Sequence, residues 1–446
     1  MPQSLLIAVG QDQSVDPQIG FLAQSKNSGN WSVQAIDGPP ASTSLYAACV
    51  TANLAITSGI ADNNNAYVAQ TTNNGLNWIS PTVMGIVAGT FFGAGCASAG
   101  TTVGVAVGQS ATGIAIIAKA INGVNWEMAS LPGMVSGTAF NGAGCGDFGS
   151  EAICIAVGTT PSFTILFYLS TDSAMTWTPI SLSSLQPGDL YGALVLANTG
   201  LVAVGQSNNE GFIIQSSNGQ LWSMPTILNS PASSTLRTVS GASNGTHVMY
   251  AAAGMASTSY YIAQSINNGT SWESLVLPST GGLNAIKLIT HPTTLAINGI
   301  AIGSGGHIYQ TKNGGESWVL QTIANLPIST SFNAIDCKEN SVEFSCVVAG
   351  QYGGPPPFHP ILVVTNDSGD TWSIETVVDE PVDGSYSAAG ATSGRRLELA
   401  ETGRQVGESL PGSTSLRGVF FDHLQTPAKT NTLAEDLFSF LEEAFA

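Results

Sequence analysis

The chain has 446 residues, of which 43% are hydrophobic and 9% charged, and its formal net charge is −18. Residues 1–392 hold six cations, Lys26, Lys119, Arg237, Lys287, Lys312 and Lys338; phosphate binding needs clustered Lys and Arg, so a nucleic-acid partner is argued against. No segment supplies the roughly eighteen consecutive apolar residues of a membrane helix, and an acidic surface favours solubility and cationic partners.

Taken from the N-terminus, the chain reads as one unit repeated. The apolar segment 5–10 matches later second strands such as 103–108 and 201–205, so the first unit lacks its inner strand. A short turn pattern follows at Ser25, Asn27, Gly29 and Trp31. An inner strand is expected over 46–52, and the turn pattern returns in full at Thr71, Asn73, Gly75 and Trp78. The next unit is the clearest: 91–97, 103–108 and 114–120 read as strands, a turn follows with Ile121 in the Asx place, and Trp126 opens a fourth strand. The same order recurs with inner strands at 139–144, 191–197, 237–242, 284–289, 333–338 and 386–392. The turn of the next repeat has Ser170, Asp172, Ala174 and Trp177, and the one after it ends at Trp222 with Ser217 in the Asx place. The last three have Ser265, Asn267, Gly269 and Trp272, then Thr311, Asn313, Gly315 and Trp318, then Thr365, Asp367, Gly369 and Trp372. All eight tryptophans thus end one pattern, at intervals of 45 to 54 residues. Short, alternating segments bounded by Gly, Asn, Ser and Pro indicate β-strands, four to a unit. In the turn, the Asx side chain accepts backbone N–H groups, Gly takes a positive φ and the indole packs sideways. The turns ending at Trp31, Trp126 and Trp222 depart from the frame and are expected to be looser.

The pattern Ser/Thr-x-Asp-x-Gly-x-x-Trp resembles the Asp-box (BNR repeat) of sialidase-like propellers across residues 1–392. That resemblance implies an all-β propeller, and the eight repeats counted here make it an eight-bladed β-propeller of four-stranded antiparallel blades, with seven blades as the alternative. Residues 385–392 would supply the missing inner strand and close the ring without an exposed sheet edge. In the sialidases themselves three arginines clamp the substrate carboxylate. This propeller has one, Arg237, so sialidase activity is rejected, and the fold alone does not give a function. Photosystem-assembly propellers of the superfamily carry a basic patch that has no counterpart here.

The cysteines point to an oxidising compartment. Cys145 and Cys154, and again Cys337 and Cys346, lie nine apart on the first two strands of a unit, where a hairpin sets side chains face to face. Cys49 and Cys96 read as small core residues. The N-terminus, Met1-Pro-Gln-Ser, leads into a strand without a basic region or cleavage site; secreted, periplasmic or extracellular placement is expected, with export lacking a cleaved signal peptide as the alternative. The sequons at Asn30, Asn244, Asn268 and Asn366 carry little information in a chain this rich in Asn, Ser and Thr. After residue 392 the composition changes: 393–414 reads as linker, and 415–446 as an acidic two-helix tail, its second helix capped by Thr432 and Glu435. These helices are expected to dock on the propeller or on a partner.

Function is expected on the face opposite the turns. Carboxylates placed there are Asp12, Asp16, Asp62, Asp189, Glu210, Asp379, Glu380 and Asp383; two of them at suitable separation would make a glycoside hydrolase for neutral or cationic glycans. A recurring Gly-Gln at the end of the second strand sets Gln11, Gln109, Gln206 and Gln351 at equivalent heights, where amides can bind sugar hydroxyls or peptide backbone; the competing role is satisfaction of local backbone groups. Tyr352 and Phe358 flank a proline-rich loop and offer stacking surfaces. No His or Cys spacing suggests a metal site, and no cofactor is expected, although Asp12 with Asp16, and Asp62 with Asn63, Asn64 and Asn65, have donor chemistry for calcium. The favoured reading is a monomeric, non-enzymatic propeller that binds a glycan or a protein.

Overall fold

Each repeat folds as its short apolar segments dictate, the first three strands of a blade pairing antiparallel in succession. The computed structural model describes residues 5–12, 19–26, 30–38, 43–61, 64–98, 100–123, 125–181, 188–354, 358–391 and 416–417. Among these the strands form eight sheets arranged as the blades of a β-propeller. Blade 1 joins Leu5–Asp12, Ile19–Lys26 and Trp31–Gln34 to an inner strand from the other end of the propeller, Gly384–Ala391. Blades 2 to 8 have inner strands Thr43–Val50, Gly89–Ala97, Ala139–Phe148, Gly188–Leu196, Ser234–Ser243, Leu283–Thr290 and Ser331–Glu339. The strand Gly384–Ala391 packs against the inner strands of both blade 8 and blade 2, which closes the ring. Eight blades, not seven, surround the central channel.

The core is divided into slabs. Eight apolar clusters each lie between two adjacent blades, because a strand buried on both faces needs a neighbouring sheet on either side. In blades 3 to 5 the inner strands are rich in Gly and Ala, and they approach backbone to backbone. A Cβ added at Gly142 would stand 2.6 Å from the Tyr191 carbonyl oxygen, and one at Gly146 2.5 Å from that of Val195. On the other side of the ring polar side chains fill the same space, among them Lys287, whose ammonium lies 2.6 Å from Asp336 with both groups buried.

The turns are built as their side chains require. Thr71 Oγ1 donates to Asn73 Oδ1 at 2.8 Å and accepts from Gly75 N at 3.1 Å, while Asn73 Oδ1 accepts from Asn77 N at 3.0 Å. The turns at Asp172, Asn267, Asn313 and Asp367 repeat that network. Asn267 and Asn313 are exposed, yet each is held at both ends. Asn267 Oδ1 accepts from Ser271 N at 3.0 Å and its Nδ2 donates to Ser271 Oγ at 2.8 Å. Asn313 Oδ1 accepts from Ser317 N at 3.1 Å and its Nδ2 donates to Ser317 Oγ at 2.9 Å. Their role is thus confined to the turn itself. Asp172 and Asp367 are held below the usual carboxylate range by these hydrogen bonds, against an opposing contribution from burial that is the largest single influence on each. The turn before Trp222 has not lost its Asx. Asn218, not Ser217, fills that role, accepting from Gln220 N at 2.9 Å and Leu221 N at 3.2 Å in a frame one residue shorter. Asn27 lies outside the described residues.

A contact between blades ties these turns together. The residue immediately before the Ser/Thr of the turn is Gln in five blades, at Gln24, Gln70, Gln215, Gln264 and Gln310. Gln70 Nε2 donates to Gly123 O of the next blade's turn at 2.7 Å, and its Oε1 accepts from Trp126 Nε1 at 2.7 Å. Gln24 holds Gly75 and Trp78 in the same way, Gln215 holds Gly269 and Trp272, and Gln264 holds Gly315 and Trp318. Gln310 keeps only the first half of the clamp, on Ser368 O at 2.8 Å. Its Oε1 and the Nε1 of Trp372 are both buried without a partner among the described residues, so Trp372 is fixed by packing and not by the amide. Lys119 stands in the Gln place of blade 3 and reaches Met175 O at 3.2 Å, so the buried Trp177 Nε1 likewise has no partner among the described residues.

Three features differ from expectation. Cys49 and Cys96 are not thiols in the core but a disulfide between the inner strands of blades 2 and 3, with Cα atoms 5.9 Å apart; the expected pairs Cys145–Cys154 and Cys337–Cys346 span directly opposed residues, with Cα separations of 4.1 and 4.0 Å. Blade 5 has three strands rather than four. In four blades a segment from the preceding repeat crosses over and adds a parallel strand, as Val83–Met84 does beside Trp126 and Ile227–Leu228 beside Trp272. The linker 393–414 and the tail lie outside the described residues except Leu416–Arg417, which form a short strand rather than a helical turn, paired with Ala48 and Ala47 of the blade 2 inner strand.

Gln70→Ala should destabilise the protein by about 1–3 kcal/mol in urea unfolding, because it strands a buried indole N–H and a buried carbonyl. Non-reducing peptide mapping should recover a Cys49–Cys96 cross-link, and no free thiol at any of the six cysteines.

Candidate ligand-binding face

One backbone irregularity shapes the mouth of the channel on the face opposite the turns. Every inner strand carries a β-bulge at the same height. Before it sits a fully buried residue, Tyr386, Leu45, Phe91, Phe140, Leu190, Leu236, Leu283 or Phe332. Opposite lies a glycine of the second strand, at Gly10, Gly59, Gly108, Gly158, Gly205, Gly254, Gly303 or Gly350. A Cβ there would collide with an inner-strand carbonyl oxygen, at 1.7 Å for Gly59 and 2.3 Å for Gly303. The glycine is therefore required by the bulge. In the recurring Gly-Gln the glycine is found in every blade, while the glutamine follows it in four.

A bulge re-aims the extra residue it contains. Around the ring these residues are Ser387, Tyr46, Phe92, Asn141, Tyr191, Arg237, Asn284 and Asn333. The three asparagines staple neighbouring blades: Asn141 Nδ2 donates to Leu190 O at 3.0 Å, Asn284 Nδ2 to Phe332 O at 2.8 Å and Asn333 Nδ2 to Tyr386 O at 3.0 Å. Tyr46, Phe92, Tyr191 and Arg237 are half-buried. Tyr191 OH donates to Asp189 Oδ2 at 3.3 Å, and the other oxygen of Asp189 accepts from Thr159 Oγ1. Arg237 Nη2 lies 3.1 Å from Met255 Sδ; burial lowers its pKa, and the nearby Tyr191 opposes that shift.

The other residues singled out in the sequence fall around this mouth. Gln109 Nε2 donates to Thr138 O at 3.0 Å and Gln206 Nε2 to Ser234 O at 3.3 Å, so these amides hold the chain entering the next blade; Gln351 is buried and Gln11 half-buried. Tyr352 packs on His359, ring centroids 5.0 Å apart, beside the half-buried Phe358. His359 Nδ1 lies 2.6 Å from Val382 O and 3.6 Å from Asp383 Oδ1. Glu210 is exposed on the hairpin of blade 5, and Asp12 is half-buried. Asp16, Asp62 and Asn63 lie outside the described residues. Among the described residues no cluster of three or more His, Cys, Asp or Glu is poised to hold a metal ion.

Glu380 is one of several loop acids in the sequence and is set apart by the structure. Its Oε1 accepts from Tyr386 OH at 2.6 Å. Burial raises its pKa to about 7, an effect the Tyr386 hydrogen bond partly offsets. Tyr386 itself is driven well above its usual value by burial and then by Glu380.

No protein-family model matches the chain, and no curated protein does. Solved structures are similar to it at low identity. A protein from Lactobacillus plantarum is 12% identical, with 86% of this chain and 99% of that one covered at a TM-score of 0.50. YCF48 from Cyanidioschyzon merolae is 18% identical, covering 64% and 84% at 0.41. The six-bladed β-propeller lectin of Aleuria aurantia is 15% identical, covering 64% and 94% at 0.39. At such identities the likeness concerns the fold and not a ligand.

Because the pKa of Glu380 in the fold exceeds its ordinary 4.5, the fold binds the proton more tightly than the unfolded chain. The stability this carboxyl contributes is complete below about pH 4.5 and is lost as pH rises through about 7. The difference in unfolding free energy between Glu380→Gln and the parent should therefore grow in the variant's favour across that window and level off above it.

Proposed function

We propose that the protein is a non-enzymatic binding propeller, related to the Asp-box propellers of the sialidase-like superfamily, that takes a glycan or protein ligand at the channel mouth opposite its turns. The observation that carries this reading is the ring of bulges at one height, whose extra residues include the half-buried Tyr46, Phe92, Tyr191 and Arg237. Aromatic faces and a guanidinium combine apolar contact with directed donors, the usual composition of a binding patch. Three disulfides support residence in an oxidising compartment, secreted or periplasmic.

The alternative, a glycoside hydrolase, draws on one observation. A carboxyl with a pKa near 7, as at Glu380, has the protonation state a general acid needs. Against it, the carboxyls of Asp189 and Glu380 are already committed to hydrogen bonds with Thr159, Tyr191 and Tyr386.

Full-length protein on glycan and peptide arrays should retain a ligand without releasing reducing sugar, and Tyr191→Ala or Arg237→Met should weaken retention about tenfold or more, the loss expected on truncating a central interface residue. Release of reducing sugar abolished by Glu380→Gln would establish the hydrolase instead.

A further inference from the structure

Blade 5 breaks the pattern of the ring, and the break opens a site on the face that carries the turns. Its turn is one residue short, and the chain returns from it with a single bridge, Gln215 to Ser223, in place of a fourth strand. The Gln place on blade 4 is taken by Leu169. Trp222 accordingly donates to Gly219 O of its own turn at 3.1 Å and packs edge-on against Phe167 at 4.6 Å, with the indole half-buried where four other tryptophans are at most 2% exposed.

The missing strand leaves a groove of about 270 Å3 between blades 5 and 6. Trp222, the 79% exposed Leu221, Gln215, Ser216, Asn268 and Tyr250 define its walls, and no charged side chain lines it. Tyr250 supplies the second observation. It is 5% exposed, its ring stacks on Trp272, and its hydroxyl end reaches the groove beside Gly200, where an added Cβ would stand 2.7 Å from the oxygen. That hydroxyl makes no hydrogen bond to any described residue. The oxygen opens onto the groove, so water meets it in the free protein, and a ligand hydroxyl that takes the place of that water keeps the hydrogen bond.

We infer that this groove is a second binding site, for a neutral pyranose, with the indole of Trp222 as the stacking surface and Tyr250 OH as the deepest polar contact. A pyranose has an apolar face for the indole and uncharged hydroxyls for the phenol, amides and serines. The volume, just below the roughly 300–1,000 Å3 of small-ligand clefts, suits one or two sugar rings. Charged sugars are disfavoured, because nothing in the lining would compensate their desolvation.

The test is titration of the full chain with methyl glycosides of glucose, galactose, mannose and N-acetylglucosamine, followed by calorimetry and saturation-transfer NMR. At least one should bind, with about a tenfold weaker affinity in Tyr250→Phe, which removes one hydrogen bond, and a larger loss in Trp222→Ala. Arg237→Met at the channel mouth should leave this binding unchanged. Absence of binding by all four glycosides, or binding indifferent to Tyr250→Phe, overturns the site. Binding lost in Arg237→Met and kept in Tyr250→Phe would overturn it too, while leaving the channel mouth as the ligand face.

Discussion

Four of the ring's eight interfaces are held by an amide reaching across from one blade to the next. A glutamine at the end of a third strand binds both the turn carbonyl and the indole N–H of its neighbour, as Gln70 does for Gly123 and Trp126. Both groups are buried, so each would otherwise be an unsatisfied polar atom in an apolar slab. One side chain thus fixes the height and the rotation of the following blade. Without it the four interfaces that carry the complete clamp would specify contact but not register, since packing of small aliphatic side chains tolerates sliding far better than a two-point hydrogen bond does.

The bulges follow from the same geometry. Eight inner strands converging on one axis need small residues in blades 3 to 5 and glycine opposite every bulge, and the extra residue has no ladder position to fill. It is free to vary. Three blades use that freedom for asparagine staples, and four place Tyr46, Phe92, Tyr191 and Arg237 there. The scaffold requirement and the candidate ligand surface therefore come from one backbone irregularity. Before Trp222, where Leu169 stands in the glutamine place, the outer strand is absent, and a groove replaces it; blade 4 lacks the clamp too but keeps its outer strand.

Much of the architecture is legible because it is periodic. Tryptophan spacing sets the blade count, and the strand-like segment 5–10 announces closure by the C-terminal inner strand, which the register of Leu6 opposite Ala391 bears out. The turn residues Asn267 and Asn313 are equally plain, since every bond they make is to a residue at most four positions away. Interactions that depend on distances between blades are not legible. Cys49 and Cys96 are a full blade apart in sequence, and only the convergence of inner strands brings them together. The motif likewise gives Trp372 and Trp126 one role, yet Trp126 is held by an amide and Trp372 is not. A frame counted back from Trp222 puts Ser217 in the place of Asn218, whereas the turn is set by the hydroxyl of Ser216 at its start. In the Gly-Gln repeat the constraint lies in the glycine and not in the glutamine. A glutamine one residue before the Ser/Thr of the turn is visible in five repeats and is the one sequence signal of the clamp.

Hydrogen–deuterium exchange followed by mass spectrometry tests the central claim, a ring closed by a strand from the far end of the propeller. The peptide spanning Gly384–Ala391 should exchange as slowly as the inner strand Thr43–Val50, because both are paired and packed between two blades. Exchange of 384–391 at the rate of an unstructured segment, with Leu5–Asp12 equally unprotected, would contradict closure and with it the eight-bladed ring.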